Sequence, residues 1–191
     1  MEPLAVHRDA DDDTLIRRVA GGDSSAWTIL VDRHAAMLMR CAWRVLGDRA
    51  EAEDIAQESF VRLMAKADGW QPGGAPLKTW LYRVALNLSI DRTRARRATS
   101  IDAVAEPGDE GRATQAVERA LDRRRRVRSA LADLPDRQRS ALVLVHYEGL
   151  SQQEAAAVMS LSVDALESLL ARGRRRLREQ LADVADDLMS D

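Results

Sequence analysis

Cysteine is almost absent from this chain: Cys41 is the only one among 191 residues. A single thiol closes no internal disulfide, and His7, His34 and His146 stand too far apart for a local metal-ligand spacing. Disulfide and zinc scaffolds are therefore excluded, and Cys41, set in an apolar helix, is read as packed. Aromatic residues make up only 4%. No uncharged stretch exceeds nine residues, a length reached by Ala155 to Val163, against the roughly 20 that a membrane span needs. The N-terminus carries Asp9, Asp11, Asp12 and Asp13 where a secretion signal would be basic and then apolar, which predicts a cytoplasmic chain without membrane insertion. A phosphate-cradling glycine-lysine motif, a paired catalytic carboxylate setting and a Ser/Cys/His constellation are missing too. No enzyme activity, cofactor or metal is expected.

Lysine is equally scarce. Only 2 of the 29 basic residues are Lys, and the other 27 are Arg. Together Ala, Leu and Arg account for 81 residues, all strong helix formers, so the chain reads as all-α. The net charge of −2 conceals a strong segregation of sign. Residues 1–58 hold 7 basic and 12 acidic groups, whereas 76–98 hold 6 basic and 1 acidic. Residues 99–122 turn acidic again, with Pro107, Gly108 and Gly111 and little apolar periodicity, while Ala171 to Arg178 carries 5 Arg and no acid. This pattern predicts two small helical domains, 10–98 and 125–186, joined by a flexible linker over 99–124.

In the first domain, helices are expected from Asp12 to the Gly21-Gly22 break, from there to Gly47, and over Ala50 to Ala67. On the third, Ala52, Ile55, Ala56, Phe60, Leu63 and Ala67 share one side and form its core face. Opposite lie Asp54, Gln57, Glu58, Val61 and Met64. A merely solvated face needs neither Val nor Met, so acids around two apolar residues suggest a docking surface. A loop from Asp68 to Pro76 follows, and then a helix over Leu77 to Arg97. Leu81, Val84, Ala85 and Leu88 of this helix face inward. Arg83, Asn87, Arg94 and Arg97 point the other way, near Trp80 and Tyr82. Cations interleaved with aromatics suit single-stranded nucleic acid, the guanidinium neutralising phosphate and the ring accepting an unstacked base.

The second domain carries the clearest motif. Ser151 followed by Glu154 forms a capping box ahead of an apolar run to Met159. Ser160-Leu161-Ser162 makes a short turn, and Val163 to Leu181 repeats apolar residues at 163, 166, 170, 177 and 181. Helix, three-residue turn and basic second helix make a helix-turn-helix, whose second helix enters a major groove. Ala165, Ser168, Arg172 and Arg175 lie opposite its buried stripe, with Leu169 and Arg176 at the margins, and these are the residues expected to meet DNA.

These motifs, in this order, resemble the extracytoplasmic-function sigma factors, the small branch of the bacterial primary sigma family. Ala52-Glu53-Asp54-Ile55-Ala56-Gln57-Glu58-Ser59-Phe60 is similar to their region two core-binding helix. Thr79 through Asn87, followed by Asp91-Arg92, is similar to the helix that melts and reads the minus-ten element. Leu134-Pro135 through Arg139, with Glu148 to Ser151 and Glu154 to Ala156, is similar to the start of region four. The resemblance implies that Asp54, Gln57 and Glu58 grip the core RNA polymerase. It further implies that the loop from Asp68 to Pro76, Trp70 included, captures a flipped promoter base, and that an anti-sigma factor holds the chain inactive. Two departures stand out. Ser160 occupies a turn position that is often Gly in the family, and Ala165, Glu167 and Leu169 stand where Thr, Lys and Arg are common. Minus-thirty-five readout is therefore expected to lean on shape, apolar contact and Arg172.

Overall fold

The computed structural model describes residues 9–99 and 115–182. The middle of the expected linker, 100–114, lies outside the described residues. Among those described there is no strand, and eight α-helices follow one another: α1 Asp12–Ala20, α2 Ser24–Leu46, α3 Arg49–Lys66, α4 Leu77–Thr99, α5 Gln115–Ala132, α6 Asp136–Leu142, α7 Gln152–Met159 and α8 Val163–Gln180. One wide turn, Val143–Tyr147, extends α6. Helix α5 begins well inside the stretch read as linker.

Helices α1, α2, α3, α7 and α8 each start where a carboxylate or hydroxyl satisfies orphan N–H groups, whereas α6 follows Pro135 without a side-chain cap. Asp11 accepts from the Thr14 N–H at 2.7 Å, and Asp23 accepts from both Ser25 and Ala26. Arg18 clamps the same Asp23 carboxylate at 2.7 Å. The Ser25 hydroxyl and this guanidinium hold the Asp23 carboxyl well below the usual carboxylate range. The capping box forms as the spacing predicts: Glu154 donates its backbone N–H to the Ser151 hydroxyl and accepts the Ser151 N–H at 2.8 Å.

The first domain packs α2 at its centre against α1, α3 and α4. Leu15, Ile16, Leu30, Leu38, Leu63 and Leu81 are fully enclosed there, and Trp27 meets the edge of Phe60 at 5.8 Å. Cys41 is buried among them, and loss of solvation pushes its thiol up to about 12, so it stays protonated and inert. In the second domain α6 and α7 pack on α8 through Leu142, Leu144, Val158, Leu166 and Leu170. Gly173 is buried in that contact, and a side chain is excluded there because a Cβ would stand 2.9 Å from Leu142 Cδ1.

The two domains are packed against each other rather than held apart, and their buried apolar residues form a contiguous cluster. Arg139, only 3% exposed, fastens the joint. Its guanidinium donates to the carbonyls of Leu131, Ala132 and Leu134 at the end of α5, and across the interface to Val45 O of α2 at 2.8 Å. Desolvation lowers its pKa.

Candidate nucleic-acid interface

The loop after α3 folds back onto α1. Asp13 Oδ1 accepts the Trp70 indole N–H at 2.7 Å, and Oδ2 accepts the Gly73 N–H at 3.1 Å. Gly73 adopts φ +76°, a conformation that favours glycine. Trp70 stands edge-on to Trp80 with centroids 6.1 Å apart. Both rings are half-buried, while Gln71, Pro72, Gly74 and Ala75 are exposed. With its ring packed and its only side-chain polar atom engaged, Trp70 supports the loop, and the tip around Gln71 and Pro72 is its exposed part.

Along α4 the basic residues do not stand free as a helical wheel suggests. Arg83 donates to the carbonyls of Ala157 and Val158 at 2.6 and 3.3 Å, capping the C-terminal end of α7. Arg97 pairs with Asp136 at 3.1 Å and Arg94 approaches the same carboxylate at 3.7 Å. Asn87 is exposed. Tyr82 corrects the expectation most clearly: it is 1% exposed, and its hydroxyl donates to Glu148 Oε2 at 3.2 Å. It does point away from the first domain's core, as periodicity requires, but the second domain covers that face.

On the helix-turn-helix, Ser160 ends α7 in the left-handed conformation, φ 53° and ψ 50°. Ser162 then caps α8 by accepting the Ala165 N–H at 3.2 Å. Ser168, Arg172, Arg175 and Arg176 are exposed, and Ala165 and Leu169 are half-buried at the edge of the same face. Arg172 folds back to donate to Ser168 O at 3.0 Å, and Arg175 lies 3.8 Å from Glu179. Among the described residues, none of the first domain bonds to these four exposed side chains.

The face of α3 opposite the core is open as well. Asp54, Gln57 and Glu58 are exposed beside Val61 and Met64, which are 61% and 52% exposed. Glu58 pairs with Arg62 at 2.9 Å along the helix.

Comparison with known proteins decides what this arrangement belongs to. Residues 30–99 match the family model of sigma-70 region 2, and 124–177 match that of sigma-70 region 4. The chain is 32% identical over 180 residues to the ECF RNA polymerase sigma factor SigW of Bacillus subtilis, covering 88% of this chain and 96% of that one. It belongs to the extracytoplasmic-function sigma factors. A 34% match to the ECF sigma factor SigE of Mycolicibacterium smegmatis takes in 85% of this chain but only 65% of that longer relative. The solved structure of CnrH in complex with the cytosolic domain of CnrY is similar at a TM-score of 0.69 and 31% identity, covering 90% of this chain and 97% of that one.

Several residues that shape the interfaces of this sigma factor carry no local signal. Asp13 reads as an ordinary first-turn acid. Asp136 reads as a helix-start acid, and Glu148 as part of a loop motif. Only their partners, dozens of positions away, give them a role. Gly173 was the exception with a legible signal, since it fills the gap in the apolar spacing between 170 and 177.

Proposed function

We propose that this sigma factor binds core RNA polymerase through Asp54, Gln57, Glu58, Val61 and Met64, and that the domain 10–98 opens and reads the minus-ten element while the domain 125–186 reads the minus-thirty-five element. It directs transcription initiation and catalyses no reaction itself. Its work lies in the cytoplasm, where polymerase and promoter DNA are. The observation that carries the reading is the coexistence, on one chain, of an acidic face with exposed Val61 and Met64 and a helix-turn-helix with exposed arginines on its second helix. The surfaces proposed for core polymerase and for DNA are both exposed, on separate helices. Arg83, Asn87, Arg94 and Arg97 supply the minus-ten contacts, with Trp70 and Trp80 shaping the loop.

Arg83, Arg94 and Arg97 are engaged by α7 and Asp136 in this arrangement. Minus-ten contact by Arg83 therefore requires α7 to move away, while Arg94 and Arg97 stay more than half exposed in their pairs with Asp136. An anti-sigma factor that holds the two domains together would keep the chain silent. CnrH, the similar sigma factor, is seen with the cytosolic domain of CnrY, and a protein of that kind is the proposed regulator here.

Transcription by purified core polymerase on a genomic promoter library, with and without the chain, tests the reading. Promoter-dependent initiation above core alone is expected. It should be lost, together with co-purification, in the double variant Asp54→Arg, Glu58→Arg, whose exposed substitutions leave the melting temperature nearly unchanged. No initiation above core alone would sink the proposal.

A further inference from the structure

Asp13 lies ahead of the stretch matched to region 2, in the first turn of α1. That helix does not need it as a cap, because Asp11 already accepts the Thr14 N–H. Both Asp13 oxygens instead serve the loop before α4, taking the Trp70 indole N–H and the Gly73 N–H from 57 and 60 positions away. One carboxylate thereby ties down the start and the middle of the loop. Trp80, at the start of α4, supports the same indole from the side. Three contacts thus hold the loop at two residues, Trp70 and Gly73, and Gln71, Pro72, Gly74 and Ala75 are exposed.

We infer that Asp13 is a positioning residue for promoter opening, holding the loop in the shape that receives an unpaired base. The inference rests on the proposed reading of this loop as part of the minus-ten interface. A loop with three glycines has much conformational freedom to lose. If it were ordered only on meeting DNA, that entropy would be subtracted from the affinity for the flipped base; ordered beforehand, it is not. The carboxylate suits the task because charged acceptors make stronger bonds than neutral ones and the start of α1 favours negative charge.

Holoenzyme is assembled from core polymerase and full-length chain, either wild type, Asp13→Ala or Trp70→Phe. The probes are the single-stranded non-template minus-ten oligonucleotide and a series with each base in turn replaced by an abasic site. Wild-type holoenzyme should show a marked loss at one abasic position. Asp13→Ala should bind the intact oligonucleotide about tenfold more weakly, the scale of a lost charged hydrogen bond, and no longer distinguish that abasic site. Core affinity and the losses at other positions should not change. Trp70→Phe keeps an aromatic ring against Trp80 and removes the donor, so it should give a smaller loss confined to the same position, even if Asp13→Ala proves unstable. Full discrimination by both variants, or an even loss at every position, overturns the inference. A wild-type holoenzyme with no abasic-sensitive position overturns the reading of the loop itself, a result distinct from the failure of Asp13.

Discussion

The Tyr82 hydroxyl donates to the Glu148 carboxylate across the interface between the two domains, at 3.2 Å. Arg44 Nε lies 3.5 Å and Arg40 3.8 Å from the same carboxylate, whose side chain is only 2% exposed. A buried negative charge is thus held between two cations of α2 and a phenol of α4. Such a site is costly to leave half-filled, so it favours one docked geometry.

This site makes stability depend on alkaline pH. Burial first, and the Glu148 charge second, raise the Tyr82 pKa above its ordinary value of 10.0. The folded state keeps this proton while the unfolded chain loses it, so the stabilisation is full below pH 10 and declines as pH rises above it. The denaturant midpoint should fall between about pH 10 and 11.5, more steeply in wild type than in Tyr82→Phe. Equal slopes in the two proteins would show that Tyr82 is not shielded.

Arg139 is the second point where the domains are joined. Arg139→Ala should leave buried carbonyls without donors and cost about 3 kcal/mol or more, read as a lowered thermal midpoint. Arg139→Lys should recover only part of this, since an ammonium does not reproduce the fork that spans α5 and Val45. A midpoint unchanged within a degree in Arg139→Ala would remove Arg139 from the joint.

Ser160 holds a left-handed conformation at the helix-turn-helix. An L side chain there carries strain that glycine avoids, so Ser160→Gly should stabilise the chain by about 1 kcal/mol. DNA affinity should be unaffected, because the substitution relieves the turn without moving α8. Calorimetry and promoter binding on the same samples check both halves, and a destabilised Gly variant contradicts the account.

Arg172 and Arg176 should differ in kind. Arg172→Ala should relax preference at one or two upstream promoter positions, at about 1–3 kcal/mol if it reads a base edge. Arg176→Ala should weaken binding evenly across sequences and reduce the salt slope by about 1, as one lost phosphate contact does. Holoenzyme binding to upstream variants at several salt concentrations separates them. Identical, sequence-independent losses would reduce Arg172 to a backbone contact.

Helical class, the capping box at Ser151 and Glu154, the apolar stripe of α8 and the outward face of α3 were all legible in the sequence. Each depends on spacing within one helix, and a period of 3.6 residues reports which side of a helix is core. The order of motifs identified the family for the same reason, since each motif is local. Periodicity does not report what covers the other side. Tyr82, Arg83, Arg94 and Arg97 point away from their own domain, as their positions demand, yet the tertiary structure meets them with Glu148, the end of α7 and Asp136. Likewise Asp13 is one more acid at a helix start until folding carries Trp70 and Gly73 to its two oxygens. Those partners are joined by geometry in three dimensions, and no spacing along the chain encodes them.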